Sequence, residues 1–578
     1  MLTEFSIGNY QAFSTPQRVP LKPITLIFGP NSAGKSAMLR SLLLSKDAIL
    51  HGTLTKTDVS HEQHPGRPIE FLRKSSSPLQ IKFTVDGKAA DGSSQQHQIA
   101  LEWSQQSNPG IQTDSMMVVE QGKEVAAYRY DKRTDLLHLQ FVTPDLVTSE
   151  QAESVKTDRE ILKRGLMDRA LLAPHGAIPG SKSTDFTSGE YESEPNFDAW
   201  LDELLAAKDK PTLTSFGEQI DGFRSAIHKR LVSILADLSA EFEGMAYHEP
   251  LRPVPKQITE ESRNDPALSE WWKLASEPEL LRRVNDWFAS SPHTKRHRLM
   301  FDRLLPVSDY KSLVAQLGGE LTPDDALEAA FEAELLTDQL CEEFVYANGL
   351  WDDDPDEGPF YSQEEAMGVA HDTLASEARV RGWEHFNDLV AAEDISRALA
   401  FVLSGVNALR KTYASRIESP WKHFKQADIY FEDVATGAKI SPSNLGVGFS
   451  QMVPFVSSAL SSENRLIAIE QPELHVHPAL QTELADLFIN SAKERGNRFL
   501  IETHSEHLIL RLLRRVRETN DGPLEPGRLP LYPEDLCVLY VQPGDQGSEV
   551  IELPVTPDGD FSRPWPNGFF AERSAELF

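Results

Sequence analysis

Eight consecutive residues near the N-terminus have the types and spacing that bind a triphosphate. They follow the pattern G-x-x-x-x-G-K-[ST] and are Gly29, Pro30, Asn31, Ser32, Ala33, Gly34, Lys35 and Ser36. The glycines let backbone N–H groups turn toward phosphate oxygens, and the lysine reaches the β- and γ-phosphates. The Ser36 hydroxyl is a ligand for Mg²⁺. The pattern therefore predicts that ATP and Mg²⁺ bind here.

Two further candidate residues follow apolar runs in the last quarter of the chain. Glu470 ends the run at residues 466–470, and His504 follows the run at residues 498–502. If both runs are parallel strands beside the phosphate loop, their ends meet at the same edge of the sheet. Glu470 is then expected to hold Mg²⁺ together with Ser36, and His504 to contact the γ-phosphate or the attacking water.

The elements that must position the loop are also predicted. Residues 26–28 form an apolar segment before it, and apolar residues after it repeat at helical spacing. Alternating apolar residues predict two or three strands within residues 1–30. From about 67 to 145, short strands separated by turns such as Asp86-Gly87 predict an antiparallel layer.

The middle of the chain has a different pattern. Residues 197–425 show three-and-four spacing of apolar residues broken by proline and glycine, which favours a compact helical insertion over a coiled coil. Residues 174–196 have the composition of a linker or mobile loop. A run of acids is either a solvated turn, the more usual case, or a divalent-metal cluster. The run contains Asp352, Asp353, Asp354, Asp356 and Glu357.

Overall charge gives no support to a general nucleic-acid binder. The chain has 57 Lys and Arg against 88 Asp and Glu, a formal net charge of −31, which repels phosphate backbones. The basic stripe on one predicted helix is either its solvated face, which we favour, or a local contact for DNA or an acidic partner. The stripe consists of Arg511, Arg514, Arg515 and Arg517.

Cysteine content and hydropathy predict a cytoplasmic protein without a membrane anchor. The two cysteines, Cys341 and Cys537, have no spacing typical of a disulfide framework or a metal site. No apolar stretch approaches the ~18 residues of a membrane span. The N-terminus has no basic, apolar leader.

Several motifs together resemble a known group of ATPases. Residues 29–36, 469–478 (I-E-Q-P-E-L-H-V-H-P) and 502–507 (E-T-H-S-E-H) are similar to AAA-type ATPases of the SMC, RecF and OLD branch of the ABC superfamily. The W-P-N-G-F-F at 565–570 resembles the end of one bacterial subfamily with a short C-terminal domain of unknown function. Such proteins are frequent in anti-phage defence operons, beside a separate nuclease or toxin.

The resemblance implies an α/β fold, namely an ABC-type P-loop ATPase head split by a mostly helical insertion. The head has a mixed sheet with helices and an antiparallel β layer. The expected parts are an N-terminal ATPase lobe at 1–150, a linker or mobile loop at 151–196, the insertion at 197–425, a C-terminal ATPase lobe at 426–535, and a hairpin and tail at 536–578.

The resemblance also implies a site shared by two heads. In the family a glycine-containing helix N-terminus closes on the partner's γ-phosphate, and the matching residues are Gly446, Gly448 and Ser450. Glycine stands here where the usual L-S-G-G pattern has serine. A structural turn explains the stretch equally well when it is taken alone. The shared site predicts a head-to-head dimer or a higher oligomer.

A second departure concerns the catalytic base. Many relatives have two adjacent acids here, but this chain has Glu470 and then Gln471, whose carboxamide cannot accept a proton at neutral pH. Glutamine can still orient a water, as it does in GTPases. We therefore predict slow hydrolysis with Lys35, Glu470, Gln471 and His504 as the catalytic set, and Glu473 as an alternative base.

Two kinds of function fit these motifs. One is an ATP hydrolase that drives work on a separately encoded effector, or on DNA as in SMC- or RecF-like repair and maintenance. The other is a nucleotide-gated scaffold in which hydrolysis acts only as a timer. Gln471 favours the scaffold, whereas the complete set of phosphate-loop and strand-end residues favours the hydrolase.

Overall fold

The computed structural model describes residues 1–51, 77–88, 94–105, 111–120, 122–131, 136–142, 234–304, 368–369 and 425–565. The chain divides into two units, the first formed by Met1–Arg252 with Val447–Phe578 and the second by Pro253–Gly446. None of the helices in the described ranges is long and apolar enough to cross a bilayer.

The bounds of the strands and the longer helices are as follows. In chain order the strands are β1 (Leu2–Gly8), β2 (Gln17–Pro20), β3 (Ile24–Phe28), β4 (Leu79–Lys88), β5 (Ser94–Gln105), β6 (Ile111–Glu120), β7 (Lys123–Asp131), β8 (Leu136–Val142), β9 (Ala246–His248), β10 (Gln257–Thr259), β11 (His297–Leu304), β12 (Gln426–Asp433), β13 (Lys439–Ile440), β14 (Leu466–Glu470), β15 (Arg498–Glu502), β16 (Leu536–Gln542) and β17 (Glu549–Glu552). The helices are α1 (Lys35–His51), α2 (Ser269–Ser276), α3 (Pro278–Ser290), α4 (Val447–Ser461), α5 (Pro478–Arg495) and α6 (Glu506–Asp521).

A sheet with the order β17-β16-β3-β15-β14-β9 organises the first unit. Its strands run parallel except β17, which pairs antiparallel with β16. Strands β3, β14 and β15 are buried along almost their whole length, as expected where helices cover both faces of a parallel sheet. Helix α1 packs on β14 and β15, and α5 packs on β15 and β3. The predicted α/β fold is confirmed, and three strand ends lie beside the start of α1.

The predicted antiparallel layer is present in the same unit, with one correction. Its order is β2-β1-β4-β5-β6-β7-β8, and each neighbouring pair is antiparallel. The predicted turn at Asp86-Gly87 is wrong, because both residues lie inside β4 and Gly87 pairs with Gln95. A side chain at Gly87 would meet the His97 ring at 2.8 Å, so packing explains this glycine.

The second unit contains a small sheet that the sequence did not predict, in addition to helices of the expected insertion. It contains an antiparallel sheet with the order β10-β12-β11 and the short β13 beside β12, together with α2 and α3. Strand β9, also within residues 197–425, belongs to the central sheet of the first unit. Three-residue strands such as β9 and β10 are too short to show a two-residue period, which explains why they were missed. The linker at 151–196 and the acids at 352–357 lie outside the described residues.

The predicted C-terminal hairpin is confirmed and has a wider role. Strands β16 and β17 pair antiparallel, and β16 also pairs in parallel with β3, the strand that leads into the phosphate loop. Trp565 packs its ring edge against Phe28, the last residue of β3, with the centroids 5.4 Å apart. The end of the chain therefore contributes to the core under the phosphate loop.

The basic stripe of α6 is paired within the chain. Arg511 and Arg515 both contact Asp486 of α5, and Arg515 is almost completely buried. Arg514 pairs with Glu518 at 2.7 Å. The predicted solvated face is confirmed for Arg514 and Arg517, which are exposed, and is wrong for Arg515, which is buried and joins α6 to α5.

Candidate functional site

The phosphate loop connects β3 directly to α1. Its glycines have φ values of +146° at Gly29 and +106° at Gly34, a conformation that other residues rarely adopt. The Lys35 ammonium group donates to the Pro30 carbonyl at 2.9 Å, so the lysine lies folded over its own loop. Lys35 is buried at the first turn of α1. A phosphate bound in the loop would replace the Pro30 carbonyl as the partner of the Lys35 ammonium group. The new contact would join opposite charges.

Glu470 and Glu502 end two neighbouring parallel strands in the same register. Both carboxylates are almost completely buried, with 1% of each residue exposed. The Ser36 hydroxyl donates to Glu502 Oε1 at 3.0 Å, whereas Glu502 Oε2 has no hydrogen-bond partner among the described residues. Glu502 was not among the predicted site residues, although its strand ends in glutamate just as β14 does.

The predicted metal ligand Glu470 is held by two residues that the motifs did not identify. Arg40 of α1 contacts Glu470 Oε1 through Nε at 3.4 Å, and the Tyr247 hydroxyl of β9 donates to the same oxygen. Burial is the largest effect that raises the pKa of Tyr247, so the phenol stays protonated and remains a donor. Glu470 is therefore fixed at the sheet edge between α1 and β9.

The loop after β14 is connected to the loop after β15. The Glu473 carboxylate accepts hydrogen bonds from the Thr503 hydroxyl at 2.9 Å and from the backbone N–H of His504. Thr503 in turn donates its backbone N–H to the carbonyl of Ile27 in β3 at 3.0 Å. Both oxygens of Glu473 therefore take part in holding the loop that carries His504.

The charged groups at this edge of the sheet have altered pKa values. Burial and then the neighbouring Glu470 raise the pKa of Glu502 to about 7. Burial also raises the pKa values of Glu470 and Glu473 above the usual glutamate range. For Lys35, burial lowers the pKa, and the carboxylates of Glu502 and Glu473 oppose that effect. Several buried carboxylates beside one lysine favour a further cation.

His504 lies half-buried after β15, where the sequence placed it. Burial and then the charge of Lys35 lower its pKa, so the imidazole is neutral at pH 7. A neutral ring offers one donor and one acceptor, which suits contact with a water or a phosphate oxygen.

Gln471 adopts an unusual backbone conformation directly after Glu470. Its φ is +44°, in the left-handed region that is uncommon for residues other than glycine. Its backbone N–H donates to the carbonyl of Glu502 at 2.8 Å. This bond ties the loops after β14 and β15 together, and strained residues of this kind cluster at functional sites.

Two of the three residues predicted to contact a partner's phosphate are buried or closely packed. Ser450 is 1% exposed. A Cβ at Gly448 would lie 2.0 Å from the His475 carbonyl oxygen, so the close approach of two backbones accounts for this glycine. Gly446 is exposed, and a Cβ there would meet nothing within 4 Å. Of the three, Gly446 is the one accessible from outside.

Arg252 is a further residue that the motifs did not reveal. Its side chain donates to the Glu470 carbonyl at 2.7 Å, and its own backbone N–H donates to the Gln451 side chain at 2.7 Å. The guanidinium also lies over the Phe455 ring, 4.8 Å from its centroid. Arg252 therefore joins α4 to the end of β14.

Comparison with known proteins finds a family match over one part of the chain. Residues 385–509 match the family model described as the AAA ATPase domain. The match includes Glu470, Gln471 and His504, and it ends before the hairpin. This segment of the chain is therefore similar to the AAA ATPase domain. No curated protein matches the sequence.

Solved structures with similarity to the chain include SMC heads. The head of Pyrococcus furiosus, with an extended coiled coil and the C-terminal domain of ScpA, has 10% identity and a TM-score of 0.34, covering 100% of this chain and 98% of that one. The Pyrococcus yayanosii head with a coiled coil and joint has 10% identity and a TM-score of 0.31, covering 100% and 99%. The Thermotoga maritima head has 7% identity and a TM-score of 0.27, covering 96% and 99%.

Proposed function

We propose that the protein binds ATP with Mg²⁺ in the phosphate loop, hydrolyses it slowly, and controls a separately encoded effector through its heads. The observation that supports this function best is the convergence of Lys35 and Ser36 with the ends of β14 and β15 at one edge of the sheet. The proposed effector is a nuclease or toxin of a bacterial anti-phage system, which follows from the resemblance of the motifs.

The donors at this edge fit Mg²⁺. Mg²⁺ prefers oxygen ligands and is usually held by one or two protein groups together with phosphates and waters. Ser36 and Glu470 would hold it here, and the unpartnered oxygen of Glu502 shows that the edge has unused acceptor capacity. Within the described residues no group of three or more His, Cys, Asp or Glu is placed to hold a metal ion. Phosphate oxygens and waters would complete the Mg²⁺ shell. Bound Mg²⁺ would neutralise charge on the β- and γ-phosphates.

The remaining roles in hydrolysis are assigned to side chains of this protein. When phosphate binds, the Lys35 ammonium group would leave the Pro30 carbonyl and contact the phosphates. Its positive charge would then stabilise the phosphoryl group that is transferred. The neutral ring of His504 is positioned by Glu473 through the backbone. Gln471 orients the attacking water and cannot remove its proton, so the γ-phosphate itself is left to receive that proton at a later stage.

Turnover should depend on Gln471. Wild-type hydrolysis is expected below ~1 s⁻¹, the low end of ordinary enzymes. Gln471→Glu is expected to raise it by about 10²-fold, because a positioned base contributes that much. Gln471→Asn is the control, since asparagine tolerates a positive φ but adds no base. Phosphate release under saturating Mg²⁺ measures all three, and fast wild-type turnover would contradict the assignment.

ATP should bring two heads together at the exposed Gly446. We expect a cross-link between chains carrying only Asn31→Cys and chains carrying only Gly446→Cys, in a background without native cysteines. Because each chain has one thiol, a mixed cross-link can form only between subunits. It should require ATP and Mg²⁺ and disappear when the Asn31→Cys chain also carries Lys35→Ala. Equal cross-linking without nucleotide would contradict the shared site.

A further inference from the structure

Glu502 is a buried carboxylate at this sheet edge to which the proposed function gives no role. It ends β15, the strand that lies between the phosphate-loop strand β3 and the Glu470 strand β14. Its residue exposure is 1%, and one of its oxygens accepts the Ser36 hydroxyl at 3.0 Å. Its other oxygen has no partner among the described residues. This oxygen therefore has acceptor capacity that the described residues do not use.

The hydrogen bond from Ser36 determines where the serine oxygen can bind a cation. A hydroxyl has one hydrogen and two lone pairs. When the hydrogen is donated to Glu502, the lone pairs are directed away from that carboxylate and remain free. This arrangement prepares a hydroxyl to act as a cation ligand, in the way that outer partners orient the ligands of other metal sites.

The other strand-end carboxylate, Glu470, makes different contacts. Glu470 is engaged by Arg40 and by Tyr247, and both contact its Oε1. Glu502 instead faces Lys35, Glu470 and Glu473, so two of its three charged neighbours are also acids. A divalent cation beside Ser36 would offset the repulsion among these carboxylates.

We propose that Glu502 is a positioning residue of the Mg²⁺ site, which accepts the Ser36 hydrogen so that the Ser36 oxygen is oriented toward the cation. The second Glu502 oxygen is available to the hydration shell of that cation. This inference rests on the proposed function, because it assigns a role toward the Mg²⁺ that accompanies ATP. A purely structural role for the Ser36–Glu502 hydrogen bond would differ, because the bond would then join α1 to β15 whether or not the metal is bound.

The test measures how Mg²⁺ strengthens binding of a non-hydrolysable ATP analogue. Calorimetry is done in EDTA and at rising Mg²⁺ for wild type, Glu502→Gln and Glu502→Ala. Glu549→Gln, at the exposed start of β17, is the matched control. We expect half-saturation by Mg²⁺ to require about 10- to 100-fold more cation in both Glu502 variants. Affinity in EDTA should be unchanged or tighter, because a negative charge near the phosphates has been removed.

A second measurement assigns the effect to the Ser36 oxygen. Ser36→Ala and Glu502→Gln should each raise the Mg²⁺ requirement, and the double variant should be no worse than Ser36→Ala. Such non-additivity is expected when two residues act through one contact. Binding of Mn²⁺ to the protein with the analogue, followed by electron paramagnetic resonance, should show the same order of affinities.

The possible outcomes separate this inference from the proposed function. A wild-type protein that binds no analogue with Mg²⁺ overturns the proposed function. A wild type that binds normally, with Glu502→Gln showing an unchanged Mg²⁺ requirement, overturns only the role of Glu502. If Glu502→Gln weakened analogue binding equally in EDTA and in Mg²⁺, the Ser36–Glu502 contact would be purely structural. That result would also overturn the proposed role of Glu502. If Glu502→Gln does not fold, Glu502→Asp gives the same readout, because it keeps the charge and moves it away from Ser36.

Discussion

Lys35→Ala is expected to weaken ATP binding severely. Lys35 is buried at the start of α1, and its ammonium group lies within the loop that would surround the phosphates. Removing one partner of a buried charged contact costs about 2–5 kcal/mol. That loss corresponds to roughly 30-fold or more in affinity. Calorimetry with ATP and Mg²⁺ measures the effect directly.

Two further variants show whether the loss is specific. Lys35→Met keeps most of the apolar stem and should lose binding in the same way, because only the charge is absent. Lys439→Ala removes an exposed lysine of the second unit that pairs with Asp302, and it should bind like wild type. Unchanged ATP affinity in a folded Lys35→Ala protein would show that residues 29–36 are not the phosphate site.

The parts of the site that the sequence predicted are those encoded by neighbouring residues. The loop at 29–36 is recognisable because its glycines and lysine are adjacent in the chain, and its flanking strand and helix follow from periodicity. The positions of Glu470 and His504 follow from a general property of parallel sheets, since each residue lies at or just after a strand end.

The contacts that the sequence did not reveal join residues far apart in the chain. Ser36 meets Glu502, and Tyr247 meets Glu470, across intervals that no local pattern spans. Glu502 had a usable signal, because its apolar run ends in glutamate in the same way as the run that ends at Glu470. Arg252 had none, since it comes just before a proline in an irregular segment.

Glycine illustrates why a motif and its packing role must be separated. Gly448 was assigned to a partner's phosphate, yet it lies where the backbone of His475 passes too close for a Cβ. Gly448→Asp would therefore disturb packing within one head as well as any contact between heads. The exposed Gly446 is the better position to probe the shared site.

Glu470→Gln is expected to lower turnover by about 10²- to 10³-fold while ATP still binds, as when one preorganised electrostatic contact of a transition state is lost. The amide keeps the size of the side chain and an oxygen that can accept from Tyr247, so the end of β14 should stay in place. What disappears is the negative charge that would hold Mg²⁺ beside the phosphates. Phosphate release and calorimetric ATP binding, measured on the same preparation, test both halves of the expectation.

Comparison with Arg40→Ala determines what the charge of Glu470 does. Arg40 is the cation that contacts Glu470 at 3.4 Å, and its side chain is 47% exposed. If Glu470 acts on Mg²⁺, removing Arg40 should leave turnover within a few-fold of wild type, because Mg²⁺ replaces that partner. If Glu470 serves only to anchor Arg40 to the sheet, both substitutions should reduce turnover equally, and neither should change the Mg²⁺ requirement. That second result would remove Glu470 from the metal site and leave Ser36 and Glu502 as the protein groups nearest the cation.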